Sequence, residues 1–292
     1  MNPRLSLWLT GLVLTLSVFA SGADKKPWKD MYLKIGDMKL HYLEAGAGDK
    51  HMILIPGWTT IAEIWKEQIP YFASRGFHVL AIDPRSQGET TKTEGGNTVY
   101  QLAADLNAFL KTLNIEHPVM VGWSMGVSVL LEYLGSPEVL QPEKIVLVDG
   151  VPTNLRQADY SYGLSPQQAH EFVVKLQDDR WKTTDQFIRQ LFKTKQPELF
   201  YKELLNGSLK TPTGTAVSYY IDVFLGDRRP ALARVPVPTL IIVRPEKRAE
   251  GEYMQSKIPR AQLEVISDAG PAMFVEKPQT FNQIVEKFLG EN

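Results

Sequence analysis

Short runs in which nearly every residue is apolar alternate along this chain with longer stretches in which apolar residues recur every three or four positions. The runs read HMILI (51–55), FHVLAI (77–82), PVMV (118–121), KIVLV (144–148), TLIIV (239–243) and QLEVI (262–266). A strand with one wet face alternates apolar and polar side chains. Runs without that alternation, separated by helices, predict a parallel sheet covered on both faces. Upstream, MYLKIGDMKLHYLEAG (31–46) reads as a hairpin turning at Gly36-Asp37, which adds antiparallel strands at one edge.

The helices follow from spacing. Leu102, Leu106, Phe109, Leu110 and Leu113 share one face, as do Val127, Leu130, Leu131 and Leu134, and again Phe281, Ile284, Val285, Phe288 and Leu289. Between 151 and 233 the pattern changes, and helical segments (PQQAHEFVVKLQ, TTDQFIRQLF, PELFYKELLN, AVSYYIDVFL) follow one another without a strand. The expectation is an α/β fold, a mostly parallel central sheet with helices on both faces. A helical cap at 151–233 is expected to be inserted between core segments 24–150 and 234–292.

The first residues belong to a different pattern. Arg4 precedes LSLWLTGLVLTLSVFA (5–20), and small residues and then Asp24, Lys25 and Lys26 follow, the layout of a secretory signal peptide over 1–23. The apolar run holds Ser, Thr and Gly and falls short of the roughly 20 apolar residues that a membrane-spanning helix needs. The protein is therefore expected to be secreted or periplasmic, with no membrane span after cleavage. An uncleaved segment tethering it to a membrane is the alternative.

Composition removes several function classes. A formal net charge of −1 over 292 residues, with the charges well mixed, offers no basic stripe for nucleic acid and leaves small molecules as partners. The chain has no cysteine, which excludes disulfides, thiolate nucleophiles and iron–sulfur ligation. His41, His51, His78, His117 and His170 are scattered without the spacing of a metal site, so neither metal nor cofactor is expected.

The chemistry-bearing stretch is Gly122-Trp123-Ser124-Met125-Gly126, entered directly from PVMV and left into VSVLLEYL. On a strand-to-helix turn, flanking glycines allow the tight backbone that pushes a serine hydroxyl out at the sheet edge. The competing reading is a glycine-lined turn with a helix-capping serine.

With this motif in this order of elements, the chain resembles the serine hydrolase branch of the α/β-hydrolase fold family over nearly everything after residue 23. The resemblance implies an oxyanion loop after HMILI, where Pro56-Gly57-Trp58 stands in place of the usual His-Gly start. It implies that the backbone N–H groups of Trp58 and Met125 stabilise the charge of a tetrahedral intermediate. DPRSQGET (83–90) is similar to the family's Asp-x-Arg-x-x-Gly turn, with Asp83 and Arg85 fixing loops. The family order is serine, acid, histidine, because the hydroxyl needs a base and the base needs a carboxylate.

For the acid, Asp149 ends KIVLV at the sheet edge where ligands collect. The commoner family position follows the next strand, where the chain reads Arg244-Pro245-Glu246-Lys247. Asp149, Glu246 and no functional acid remain three open assignments. For the histidine, the family loop reads Asp-Ala-Gly-His followed by Phe, an acidic residue and Pro. Here it is DAGPAMFVEKP (268–278), with Pro271 at the histidine position. Proline has no ionisable group and cannot act as a base. No histidine follows His170, which lies in a helical segment and is expected at the surface; the other four are expected in packing or surface roles.

Two readings result. One is a secreted serine hydrolase acting on an ester or related acyl substrate through Ser124, impaired by the lack of histidine. Trp58, Trp123, Met125, Met273 and Phe274 would line its pocket and favour an apolar acyl or aromatic group. The other is a catalytically degenerate member that binds a small apolar ligand without turnover.

Overall fold

A computed structural model of the protein describes residues 26–291. The segment expected to be a signal peptide lies outside the described residues. Among the described residues eight strands form one sheet: β1 (Lys29–Ile35), β2 (Met38–Ala45), β3 (Lys50–Ile55), β4 (Phe77–Ile82), β5 (Val119–Trp123), β6 (Lys144–Val148), β7 (Thr239–Val243) and β8 (Ala261–Val265). Their order is β1-β2-β4-β3-β5-β6-β7-β8. The hairpin β1–β2 joins β4 antiparallel, and every pairing from β4 through β8 is parallel.

Every residue of β5, β6 and β7 is buried, as their unbroken apolar runs require. Alternate side chains enter opposite cores. Met120, Ile145 and Leu147 pack against α2 (Val99–Thr112) and α3 (Met125–Gly135), which cover one face. Val119, Val121, Val146 and Val148 face α1 (Gln68–Ala73) and α11 (Pro278–Gly290) on the other. Each fully buried aliphatic side chain contributes about 1.5–3 kcal/mol.

Between β6 and β7 the chain runs through α4 (Pro166–Asp178), α5 (Arg180–Gln190), α6 (Glu198–Leu209), α7 (Thr213–Leu225) and α8 (Arg229–Leu232). Local sequence sets these starts. Ser165 and Gln168 form a reciprocal capping box at α4, and the Asp179 carboxylate accepts the Lys182 N–H at α5. After β7 come α9 (Arg248–Lys257), then β8, then α10 (Met273–Glu276) leading into α11. Among the described residues no helix is long and apolar enough to cross a membrane.

Candidate active site

β5 stops at Trp123, α3 starts at Met125, and Ser124 alone makes the turn. Its backbone has φ 53° and ψ −112°, outside the regions that non-glycine residues favour, a conformation that costs on the order of 1–3 kcal/mol. Neighbours hold it there. The Ser124 N–H donates to the Val148 carbonyl on β6 (2.9 Å), and the Val127 N–H donates to the Ser124 carbonyl (3.0 Å). The flanking glycines are needed for close approach: a Cβ on Gly122 would lie 2.5 Å from the Gly126 carbonyl oxygen, and one on Gly126 would lie 2.6 Å from that of Ile55. The Ser124 side chain makes no capping bond to α3, so the helix-cap reading of this serine fails.

Ser124 instead lines a cavity of about 240 Å3 that also borders Trp58, Met125, Asp149, Arg244 and Pro271. Trp58 follows β3 on a loop with two anchors. The Asp83 carboxylate accepts the Ala62 N–H (2.7 Å) and the Glu89 N–H (2.8 Å) and pairs with buried His41 Nδ1 (2.8 Å). The Trp58 indole N–H donates to the Ala216 carbonyl on α7 (2.7 Å), and its ring meets Phe187 edge to face. The backbone N–H groups of Trp58 and Met125 donate to no described residue. Burial opposes a charge on His41, but the Asp83 hydrogen bond and charge outweigh it, and the His41 pKa is raised.

Asp149 occupies the end of β6, with φ 45° and its N–H donating to the Ile242 carbonyl (2.8 Å). Its carboxylate lies 3.2 Å from the Arg244 guanidinium and accepts the Arg244 N–H at 3.4 Å. Burial pushes the Asp149 carboxyl up to about 6, against the pull of Arg244 and Lys247. Glu246, the second acid candidate, has a side chain that is 69% exposed, 3.7 Å from Arg244 Nε, and is not part of the cavity wall.

Pro271 reaches the cavity on a loop bound through its backbone. The Trp123 indole N–H donates to the Pro271 carbonyl (2.9 Å), the Gly270 N–H donates to Glu276 (2.6 Å) and the Ala272 N–H donates to the Leu191 carbonyl (3.0 Å). No histidine lines this cavity. His170 is exposed and lines a separate hollow that shares only Tyr220 and Phe224 with it. His51 and His78 touch each other, His78 bonds Glu44, and His117 bonds the Gln141 carbonyl. Among the described residues no cluster of three or more His, Asp or Glu could hold a metal ion.

Three of the expected pocket residues lie elsewhere. Trp123, Met273 and Phe274 are buried in the core under the sheet, where Phe274 stacks on Trp65 with ring centroids 4.1 Å apart. Trp123 alternates along β5 with Val119 and Val121 on that face, so adjacency to Ser124 in sequence does not bring it to the cavity. Trp58 and Met125 are on the wall, as expected, and Phe187, Leu191, Tyr220 and Phe224 of the α4–α8 segment or its turns complete its apolar side. Arg244 and Lys247 were missed as cavity residues. Their only sequence signal was the unusual RPEK turn after β7.

Comparison with known proteins agrees with this architecture. The chain is similar to AB hydrolase superfamily protein YisY of Bacillus subtilis, 24% identical over 88% of this chain and 98% of that protein. It is also similar to 3-oxoadipate enol-lactonase 2 of Acinetobacter baylyi, 26% identical over 87% of this chain and 94% of that one. An esterase from Exiguobacterium antarcticum superposes with a TM-score of 0.84 at 21% identity, covering 90% of this chain and 100% of the other. The family model described as alpha/beta hydrolase fold matches residues 50–278, and the chain belongs to that family.

Proposed function

We propose that the protein is a serine hydrolase acting on an ester or related acyl substrate, with Ser124 as nucleophile. The observation that carries this reading is the strained turn that holds a serine with an uncapped hydroxyl at a cavity wall. The free N–H groups of Trp58 and Met125 are assigned as the oxyanion hole, and Asp149 as the acid, since Glu246 faces solvent. Pro271 is assigned to the position where the family carries its histidine, so no side chain at that position takes the serine proton. An oxyanion hole and a pocket alone sustain about 10³–10⁴-fold acceleration over water. The α4–α8 segment serves as a cap whose rings favour an apolar acyl or aromatic group, and residues 1–23 serve as an export signal.

A second reading, binding without turnover, is favoured by one observation: the carboxylate at the end of β6 is engaged by Arg244 and by no imidazole. One experiment separates the two. The parent is expected to label at Ser124 with an alkyl phosphonate and to turn over p-nitrophenyl butyrate slowly, and Pro271→His is expected to raise kcat/KM by about 10²-fold or more. If Ser124→Ala hydrolyses the ester as fast as the parent, the nucleophile assignment is wrong. If the parent neither labels nor turns over and Pro271→His remains inert, the binding reading replaces the hydrolase one.

A further inference from the structure

The wall of the cavity beside Ser124 is built from two chemically different sets of residues. Trp58, Phe187 and Phe224 make one set apolar, and the wall residues contributed by the α4–α8 segment carry no formal charge. The other set is ionic. It holds Arg244 and Lys247 from the turn after β7 against the single carboxylate of Asp149.

Two further carboxylates neighbour these cations from outside the wall. Glu246 lies 3.7 Å from Arg244 Nε and is turned to solvent, while buried Glu250 holds Lys247 Nζ at 2.9 Å. Tyr220, also on the wall, is pushed up to about 12 by burial and stays neutral. Cations on the wall therefore outnumber anions. Arg244 places its Nη1 3.2 Å from Asp149 Oδ2 and does not make the two-pronged hydrogen bonding that its planar fork allows. Its other terminal nitrogen hydrogen-bonds no described residue, although a guanidinium has five N–H donors to satisfy.

We propose that this cavity takes an amphiphilic carboxylate, its anionic group held by Arg244 and Lys247 and its apolar body lying against Trp58, Phe187 and Phe224. As a statement about substrate this rests on the serine-hydrolase reading, and makes the substrate an ester whose body carries a separate carboxylate. As a statement about ligand class it stands without turnover. Asp149 competes with the ligand for Arg244, and its proton uptake near pH 6 releases the guanidinium while an ordinary carboxylic acid remains ionised.

The test uses the full chain with 3-phenylpropanoate and its uncharged isostere 3-phenylpropanamide, followed by titration calorimetry. The acid is expected to bind about tenfold more tightly than the amide, and Arg244→Gln and Lys247→Gln are each expected to remove most of that preference. In the unmutated protein the preference grows as pH falls from 7.5 to 5.5, a measurement that does not depend on how well either variant folds. Equal affinity for acid and amide, no binding of either, or a preference untouched by both substitutions overturns the proposal. Phosphonate labelling of Ser124, run on the same preparation, reports separately on the hydrolase reading. A protein that prefers the acid but fails to label keeps the ligand class and loses the nucleophile.

Discussion

Asp149 is held where a carboxylate is hardest to keep charged. Burial lifts it from an ordinary 3.8 to about 6, so its contribution to stability is fullest below pH 3.8 and is lost as pH rises through 6. A gap of that size corresponds to about 3 kcal/mol. Urea unfolding of the parent and Asp149→Asn between pH 3.5 and 7.5 is expected to show the parent losing about that much stability relative to the variant over this range. A difference that does not change with pH removes the buried-carboxylate account. The same residue shows what one sequence can and cannot disclose. Its place at the end of an apolar run was legible, because unbroken runs mark buried strands. Its engagement with Arg244 was not, because that contact joins the ends of two strands whose adjacency only the sheet order reveals.

At the scale of elements, the turn from β5 into α3 depends on backbone meeting backbone. Two of the three atoms that a Cβ on Gly122 would strike are the carbonyl oxygen and carbon of Gly126, which cannot rotate away as the third, Leu130 Cδ1, can. Gly122→Ala is therefore expected to lower stability by about 1–3 kcal/mol in chemical denaturation and to abolish phosphonate labelling of Ser124. A variant with parental stability and labelling contradicts the close-packed turn. Legibility followed length and pattern. The runs that form β3 to β8 announced themselves, as did α2, α3 and α11 with their broad apolar faces. Helix α9 did not, because RAEGEYMQSK buries only Glu250, Gly251 and Met254, too narrow a stripe to stand out from a loop.

For the molecule as a whole, the α4–α8 segment and the loop carrying Pro271 are joined by the Ala272–Leu191 backbone bond, by the Lys193–Asp268 ion pair (3.1 Å) and, through more bonds than either, by Glu276. Glu276 accepts the N–H groups of Gly270 (2.6 Å), Lys193 (3.1 Å) and Thr194 (2.7 Å), tying the chain after α5 to the loop before α10. Glu276→Ala leaves three donors without their acceptor and is expected to expose the chain near Lys193 and Lys195. Limited trypsin digestion should then cleave there several-fold faster than in the parent, and unchanged cleavage rules the tie out. The sequence displayed Glu276 as part of DAGPAMFVEKP, but its partners stand more than eighty positions earlier for two of the three bonds.

The loop around Pro271 owes its shape to bonds that never involve the residue's ring: the Trp123 indole on its carbonyl, Glu276 on one neighbour and Leu191 on the other. In evolutionary terms, form at this position is inherited separately from chemistry. Selection can exchange the side chain without rebuilding the scaffold that presents it, and two of the four proline codons, CCU and CCC, become histidine codons by a single base change. A lineage that carries this fold and uses either codon at position 271 is one point mutation from presenting an imidazole beside Ser124, a step that the laboratory variant Pro271→His retraces.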